Sequence, residues 1–330
     1  MERVGVGVVG VGFYGEVHAR TYRKDPRVEL MRVWSRSEAR AKKVGDRYRC
    51  AWTTRFEDML SDERIQILSI ATPDHAHARY AVAALKAGKH VLLEKPMAES
   101  TAECKAILAA RECSGRKLMV NYHNRWYPAF IAARDAIASG RIGRPVCGTF
   151  VLSDTISWVE ENMTWAEHTG PEWFLMSHLV DLAFWMLNDK PKEVFAMATQ
   201  GLLRSKGFKT RDIVQATMKM RREAIVHFES SWVLSRNWRN PVNEMWLSVQ
   251  GESGRIDVTA DYENITVTAD RYETPFILLG VTEEPPIKDF ISCVLEDKPV
   301  PVSGQEGMLA TQAVEAVVKS YKTNKVVKLG

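Results

Sequence analysis

The residues that most clearly specify chemistry lie at the very start of the chain, where the strand-like Val/Gly run Arg3–Val11 leads into Gly10-Val-Gly12-Phe-Tyr-Gly15. A GxGxxG spacing between a strand and a helix has a physical job in dinucleotide binding. The first glycine permits a tight turn, the second lets backbone approach a diphosphate, and the third lets the helix pack closely on the sheet. The helix N-terminus then offers its N–H groups and positive dipole end to the anion. Phe13 and Tyr14 ride in the same turn and are assigned to the cofactor site with the glycines. The end of the next strand should show which dinucleotide is held. It reads Val33-Trp-Ser35-Arg36-Ser37, with no carboxylate for a ribose 2′-hydroxyl. A guanidinium beside hydroxyls suits a 2′-phosphate, which favours NADP(H) over NAD(H).

A cradle of this kind needs a parallel sheet, and the pattern downstream supplies one. Strand-like runs at Val28–Trp34, Ile65–Ala71, His90–Glu94 and Lys117–Tyr122 alternate with helical stretches at Ser37–Tyr48, His75–Ala87 and Ser100–Cys113. That alternation predicts βαβ units and a doubly wound fold. After residue 122 the rhythm changes. Helices are expected at Pro128–Ser139, Glu172–Leu187 and Gln305–Tyr321. Alternating segments from Lys192 to Ala269 predict a mostly antiparallel sheet. The expected organisation is an α/β Rossmann domain over residues 1–122, and an α+β domain over 123–330 that binds substrate and supports oligomers.

Composition narrows the class. Of 330 residues, 45% are hydrophobic and 26% charged, the profile of a globular chain. The formal charge of +4, from 45 basic and 41 acidic side chains, is too small and too mixed for a nucleic-acid binder. No apolar run approaches the roughly 18 residues that span a bilayer, and Met1-Glu-Arg-Val lacks the parts of a signal peptide. A cytoplasmic location is the expectation. The cysteines at 50, 104, 113, 147 and 293 show no metal or disulfide spacing, so reduced and mostly buried thiols are expected, and no metal.

Two further motifs, Gly88-Lys-His-Val-Leu-Leu-Glu94-Lys95-Pro96 and Ala71-Thr72-Pro73-Asp74-His75-Ala76-His77, closely resemble the Gfo/Idh/MocA oxidoreductases. The likeness continues through Asn124-Arg125 with Pro128, through Val249–Ile256, and through Pro301–Gly307. It implies a nicotinamide cofactor and oxidation of a sugar or cyclitol hydroxyl. It also places Thr72, Pro73, His77, Glu94 and Lys95 along the cofactor. A lysine at the C-terminal end of a parallel strand, fixed by a following proline, can hydrogen-bond a reacting oxygen or share in proton transfer. Many family members also carry D-x-x-x-H on a helix of the second domain. Here the matching stretch is Phe174-Leu-Met-Ser-His178-Leu-Val-Asp181, so the histidine is present and a phenylalanine stands at the usual acid position. Three readings follow from that departure: His178 still acts as the base, alone or with Lys95; or the cofactor serves a redox-neutral epimerase or lyase reaction; or the protein senses a sugar or dinucleotide. Asp181 either orients the imidazole or packs its helix.

The substrate side is drawn from aromatic and polar residues. Trp158, Trp165 and Trp173 precede His178 in a polar stretch, and indole faces suit the C–H faces of sugar rings. Phe174 would shape an apolar wall, while Tyr122, Asn124 and Arg125 follow the last Rossmann strand and line the cleft. Arg125 equally fits a tie between domains. The expected partners are a carbohydrate or cyclitol and further copies of the chain, as a homodimer or homotetramer, with no nucleic acid and no membrane.

Overall fold

The structure, a computed structural model, describes residues 3–163, 165–260, 264–270, 272–274 and 283–330. The chain divides into two units: residues 1–123 with 281–311, and residues 124–280 with 312–330. The expected break near residue 122 is thus joined by a second one. Residues 281–311 return to the first unit, which a single linear boundary does not describe.

The first unit begins with β1 (Val4–Val9), α1 (Phe13–Lys24), β2 (Val28–Trp34), α2 (Glu38–Tyr48), β3 (Ala51–Thr53), α3 (Glu57–Ser61), β4 (Ile65–Ile70), α4 (His77–Lys86), β5 (His90–Glu94), α5 (Thr101–Ser114) and β6 (Leu118–Asn121). Its strands pair in parallel in the order β3-β2-β1-β4-β5-β6. The order reverses direction between β1 and β4, the place where such sheets bind ligands. Every residue of β1 is buried, as a central strand covered on both faces requires. Local signals set the helix ends. Ser37 and Ser100 cap α2 and α5 by accepting from Arg40 N and Glu103 N. Gly115, at φ 64°, closes α5 in the left-handed region.

The second unit contains α6 (Pro128–Ala138), β7 (Pro145–Thr155), α7 (Ile156–Asn162), α8 (Ser177–Leu187), β8 (Pro191–Thr199), α9 (Leu202–Ser205), β9 (Ile213–Met220), β10 (Ile225–Leu234), β11 (Asn243–Gly251), β12 (Arg255–Thr259), β13 (Asn264–Thr268) and β14 (Tyr272–Glu273). Then come α10 (Glu284–Leu295), which belongs to the first unit, α11 (Gly304–Thr323), which both units share, and β15 (Val327–Lys328). Nine strands among the described residues form one sheet, β14-β13-β12-β11-β7-β10-β9-β8-β15. Its central strand β7, not anticipated from sequence, runs parallel to β10 and antiparallel to β11. The other strand pairings of this sheet among the described residues are antiparallel. Helix α8 packs on β7 and β10. Along β8 and β10, Val194, Ala196, Val226 and Phe228 are buried, whereas Met197 and Ile225 on the opposite face are exposed.

Two expectations need correction. The helix expected from Glu172 begins with one π-helical turn, Glu172–Met176, and continues as α8 from Ser177. The thiols are free but not mostly buried: Cys104 and Cys293 are buried, Cys50 is half-buried, and Cys113 and Cys147 are exposed.

Candidate functional site

The dinucleotide cradle is set by where a side chain would or would not fit. Gly10 has φ 93°, and a Cβ there would meet Ala71 O at 2.4 Å. At Gly15 a Cβ would meet Gly10 O at 1.9 Å, so only glycine lets α1 lie this close to the turn. Gly12 is different, because a Cβ there would meet nothing within 4 Å. No protein atom demands a glycine at that position. Open space above the start of α1 fits the approach of a diphosphate, and Gly12 provides no side-chain cap for that helix. Phe13 is 70% exposed and meets Tyr14 edge-on, and Tyr14 stacks on His123. At the end of β2, Ser35 is half-buried and Arg36 is exposed. Ser35 Oγ accepts from Ser37 N.

The loops after β4 and β5 complete this end of the sheet. Thr72 is buried, and its Oγ1 has no hydrogen-bond partner. A buried, unsatisfied hydroxyl beside a nucleotide cradle fits a ligand's polar group. Pro73 is half-buried beside it. The fully buried His77 ties the two loops together: its Nε2 lies 2.9 Å from Thr72 O and its Nδ1 2.7 Å from Pro96 O. Lys95, 3% exposed, follows β5, and the Lys95–Pro96 peptide is cis.

Glu94, the residue before Lys95, ends a buried polar chain that sequence reasoning missed. Tyr22 donates to Ser69 Oγ (3.1 Å), Ser69 Oγ meets His18 Nδ1 (2.5 Å), and His18 Nε2 meets Glu94 Oε1 (2.8 Å). Asn121 Nδ2 also donates to Glu94 Oε1 (2.6 Å), while Glu94 Oε2 is buried with no hydrogen bond. Burial pushes the Glu94 carboxyl up. The hydrogen bonds from His18 and Asn121, with the nearby imidazoles of His18 and His123, outweigh it and hold the group at about 2. His18 and Tyr22 stand at i and i+4 on the sheet-facing side of α1, and that spacing was the available sequence signal.

In the second unit, α8 presents His178 and Asp181 at i and i+3, and both are buried. The short 3₁₀ turn His123–Trp126 carries Asn124 and Arg125. Asn124 Nδ2 lies 3.4 Å from His178 Nδ1, and Arg125 grips Asp181 through Nε–Oδ2 (2.9 Å) and Nη2–Oδ1 (2.6 Å). The Arg125 guanidinium also lies over the Trp185 ring. Arg125 and Asp181 are therefore joined within this unit. The one π-helical turn brings Phe174 between Trp158 and the fully buried Trp232, with ring centroids 6.5 and 6.1 Å away. Trp165 and Trp173 are half-buried, and Trp165 Nε1 has no hydrogen-bond partner. Tyr122 is fully buried in the first unit. The π turn opens on Glu172, a buried carboxyl that accepts from Tyr321 and that burial pushes up. No group of acidic, cysteine or histidine side chains among the described residues forms a metal-binding cluster.

Comparison with known proteins agrees with this architecture. Residues 4–122 match the oxidoreductase family with an NAD-binding Rossmann fold, and residues 130–257 match the Gfo/Idh/MocA C-terminal domain. An inositol 2-dehydrogenase of Rubrobacter xylanophilus is 32% identical over 200 residues, 58% of this chain and 58% of that protein. A levoglucosan dehydrogenase of Pseudarthrobacter phenanthrenivorans is 31% identical over 209 residues, 57% of this chain and 52% of that one. These matches span little more than half of each relative. A solved levoglucosan dehydrogenase in complex with NADH and levoglucosan shares the fold, with a TM-score of 0.88 at 23% identity and 99% coverage of both chains. With both halves matched and the glycine cradle formed, the chain belongs to the Gfo/Idh/MocA oxidoreductase family.

Proposed function

We propose that this protein is a nicotinamide-dependent oxidoreductase that moves a hydride between its cofactor and a secondary hydroxyl or ketone of a sugar, sugar derivative or cyclitol. The observation that carries the reading is the placement of Lys95. It is buried at the C-terminal end of β5, on the sheet that forms the glycine cradle, and its loop is tethered by His77 to the loop of Thr72. The relatives named as inositol and levoglucosan dehydrogenases support the substrate class.

Gly10, Gly12 and Gly15 receive the diphosphate with Phe13 and Tyr14 alongside, Thr72 and Pro73 line the rest of the cofactor, and His77 and Glu94 act from behind by holding the loops after β4 and β5. The nicotinamide, when bound, supplies the hydride acceptor. The Lys95 ammonium hydrogen-bonds the reacting oxygen and stabilises charge developing there. His178 takes the hydroxyl proton as the hydride leaves. Phe174, Trp158, Trp165 and Trp173 supply apolar surface for the C–H faces of the ring. Ser35 and Arg36 favour NADP(H), since β2 ends without a carboxylate to bind a 2′-hydroxyl. A second copy of the chain packs on the sheet face bearing Met197 and Ile225, giving a homodimer or homotetramer. The site of action is the cytoplasm; no described helix is long and apolar enough to cross a membrane.

The test is absorbance at the reduced-nicotinamide band, with both oxidised cofactors and a panel of sugars, sugar acids and inositols. Cofactor reduction with one substrate class is expected, and Lys95→Ala should lower kcat by a hundredfold or more with an unchanged circular dichroism spectrum. No reduction across the panel, or full turnover in Lys95→Ala, would overturn the reading. Arg36→Asp should weaken NADPH at least tenfold relative to NADH by fluorescence titration. An unchanged ratio would remove the 2′-phosphate assignment.

A further inference from the structure

A histidine that moves protons needs its second ring nitrogen fixed, because that nitrogen's partner decides which tautomer is present. In this chain the residue one helical turn before His178 is Phe174, whose ring sits among Trp158 and Trp232 and offers no hydrogen-bonding group. The Asn124 amide does face the ring, with Nδ2 3.4 Å from Nδ1 in a buried setting. Its position is fixed from the adjacent residue. Arg125 holds Asp181 through two hydrogen bonds, and Asp181 lies on the same helix as His178 and three residues on. The turn 123–126 and α8 are thus joined by a paired contact, Arg125 to Asp181 and Asn124 to His178. Met245 Sδ, 3.9 Å from Asn124 Nδ2, borders the amide from β11.

We propose that Asn124 is a positioning residue that selects the tautomer of His178 through Nδ1. The inference rests on the reading of His178 as the group that handles the proton. An amide has two faces for this task. With Nδ2 against the ring, Nδ1 must accept, and the neutral imidazole carries its proton on Nε2. With the amide turned about Cβ–Cγ, Oδ1 accepts from Nδ1–H, and the Nε2 lone pair becomes available as a base. A carboxylate at this place would only accept, and its charge would favour the imidazolium. The neutral amide gives the ring a direction without adding that charge. The Asn124 side chain is therefore directed at His178.

The experiment reads the tautomer directly. Protein labelled with ¹⁵N-histidine is examined by long-range ¹H–¹⁵N correlation, the His178 signals being assigned by their loss in His178→Ala. Asn124→Leu should change the ratio of Nδ1–H to Nε2–H forms and lower kcat about tenfold to hundredfold, with KM nearly unchanged. Asn124→Asp should lock the Nδ1–H form and raise the apparent pKa of His178, both in the titration and in the kcat/KM profile. Identical His178 shifts in the wild type and both variants would overturn the proposal. Should Asn124→Leu fail to fold, the Asn124→Asp arm decides alone, since an unmoved titration there is equally fatal. His178→Ala separates the two ideas: full turnover in that variant refutes the proton role of His178, whereas its loss alongside unmoved tautomers in the Asn124 variants refutes only the role of Asn124.

Discussion

Glu94 shows how much a single side chain can report. Its carboxyl is ionised in a buried site because two hydrogen bonds and neighbouring imidazoles outweigh desolvation, and this holds it at about 2. A folded-state value below the ordinary glutamate value of 4.5 makes a stabilising contribution that is present above about 4.5 and lost as pH falls toward 2. The shift is worth about 3 kcal/mol. Urea unfolding should accordingly lose more stability between pH 5 and pH 2.5 in the wild type than in Glu94→Gln. Parallel losses in the two proteins would show that another group governs acid unfolding. The sequence displayed Glu94 within a motif but concealed its partners. His18, Ser69 and Asn121 come from three different elements, and only the parallel pairing of β4, β5 and β6 against α1 brings them together.

At the scale of elements, the turn from β1 into α1 separates glycines kept for folding from one kept for a ligand. Gly15→Ala forces a Cβ into Gly10 O and should cost about 2 kcal/mol or more, read as a lower urea midpoint. Gly12→Ala meets no protein atom, so its thermal midpoint should stay near that of the wild type while dinucleotide affinity falls at least tenfold. Equal damage to stability by both would mean that Gly12 serves the fold as well. The βαβ order was legible because the strands are short, largely apolar runs and two of the helices between them start at serine caps, Ser37 and Ser100. What escaped was set by distant contacts. Strand β7 alternates poorly, with a burial pattern that turns continuous from Phe150 to Thr155 at the centre of the sheet. The π turn at 172–176 leaves no periodic signature over so few residues. The pairing of Asn124 with His178 joins residues 54 apart, which no local pattern encodes.

For the molecule as a whole, the large sheet turns one face toward its helices and exposes Met197 and Ile225 on the other. If a second copy covers that face, Met197→Glu combined with Ile225→Glu should lower the mass measured by light scattering to that of one chain, 37.4 kDa. An unchanged mass would place any interface elsewhere. The division of the chain has its own consequence. Residues 124–280 are inserted into a host whose two pieces are 1–123 and 281–311. The edge strand β6 receives its last partners from that late piece: Val120 N donates to Val302 O, and Met119 pairs with Ser303. Thr311 likewise donates to Ala98 O. During synthesis the first piece of the nucleotide-binding half emerges before the guest segment, and its second piece only after it. Its outer edge stays open until the whole guest segment has left the ribosome, so a nascent chain ending at residue 257 would carry an uncovered strand with main-chain groups ready to pair with a neighbour.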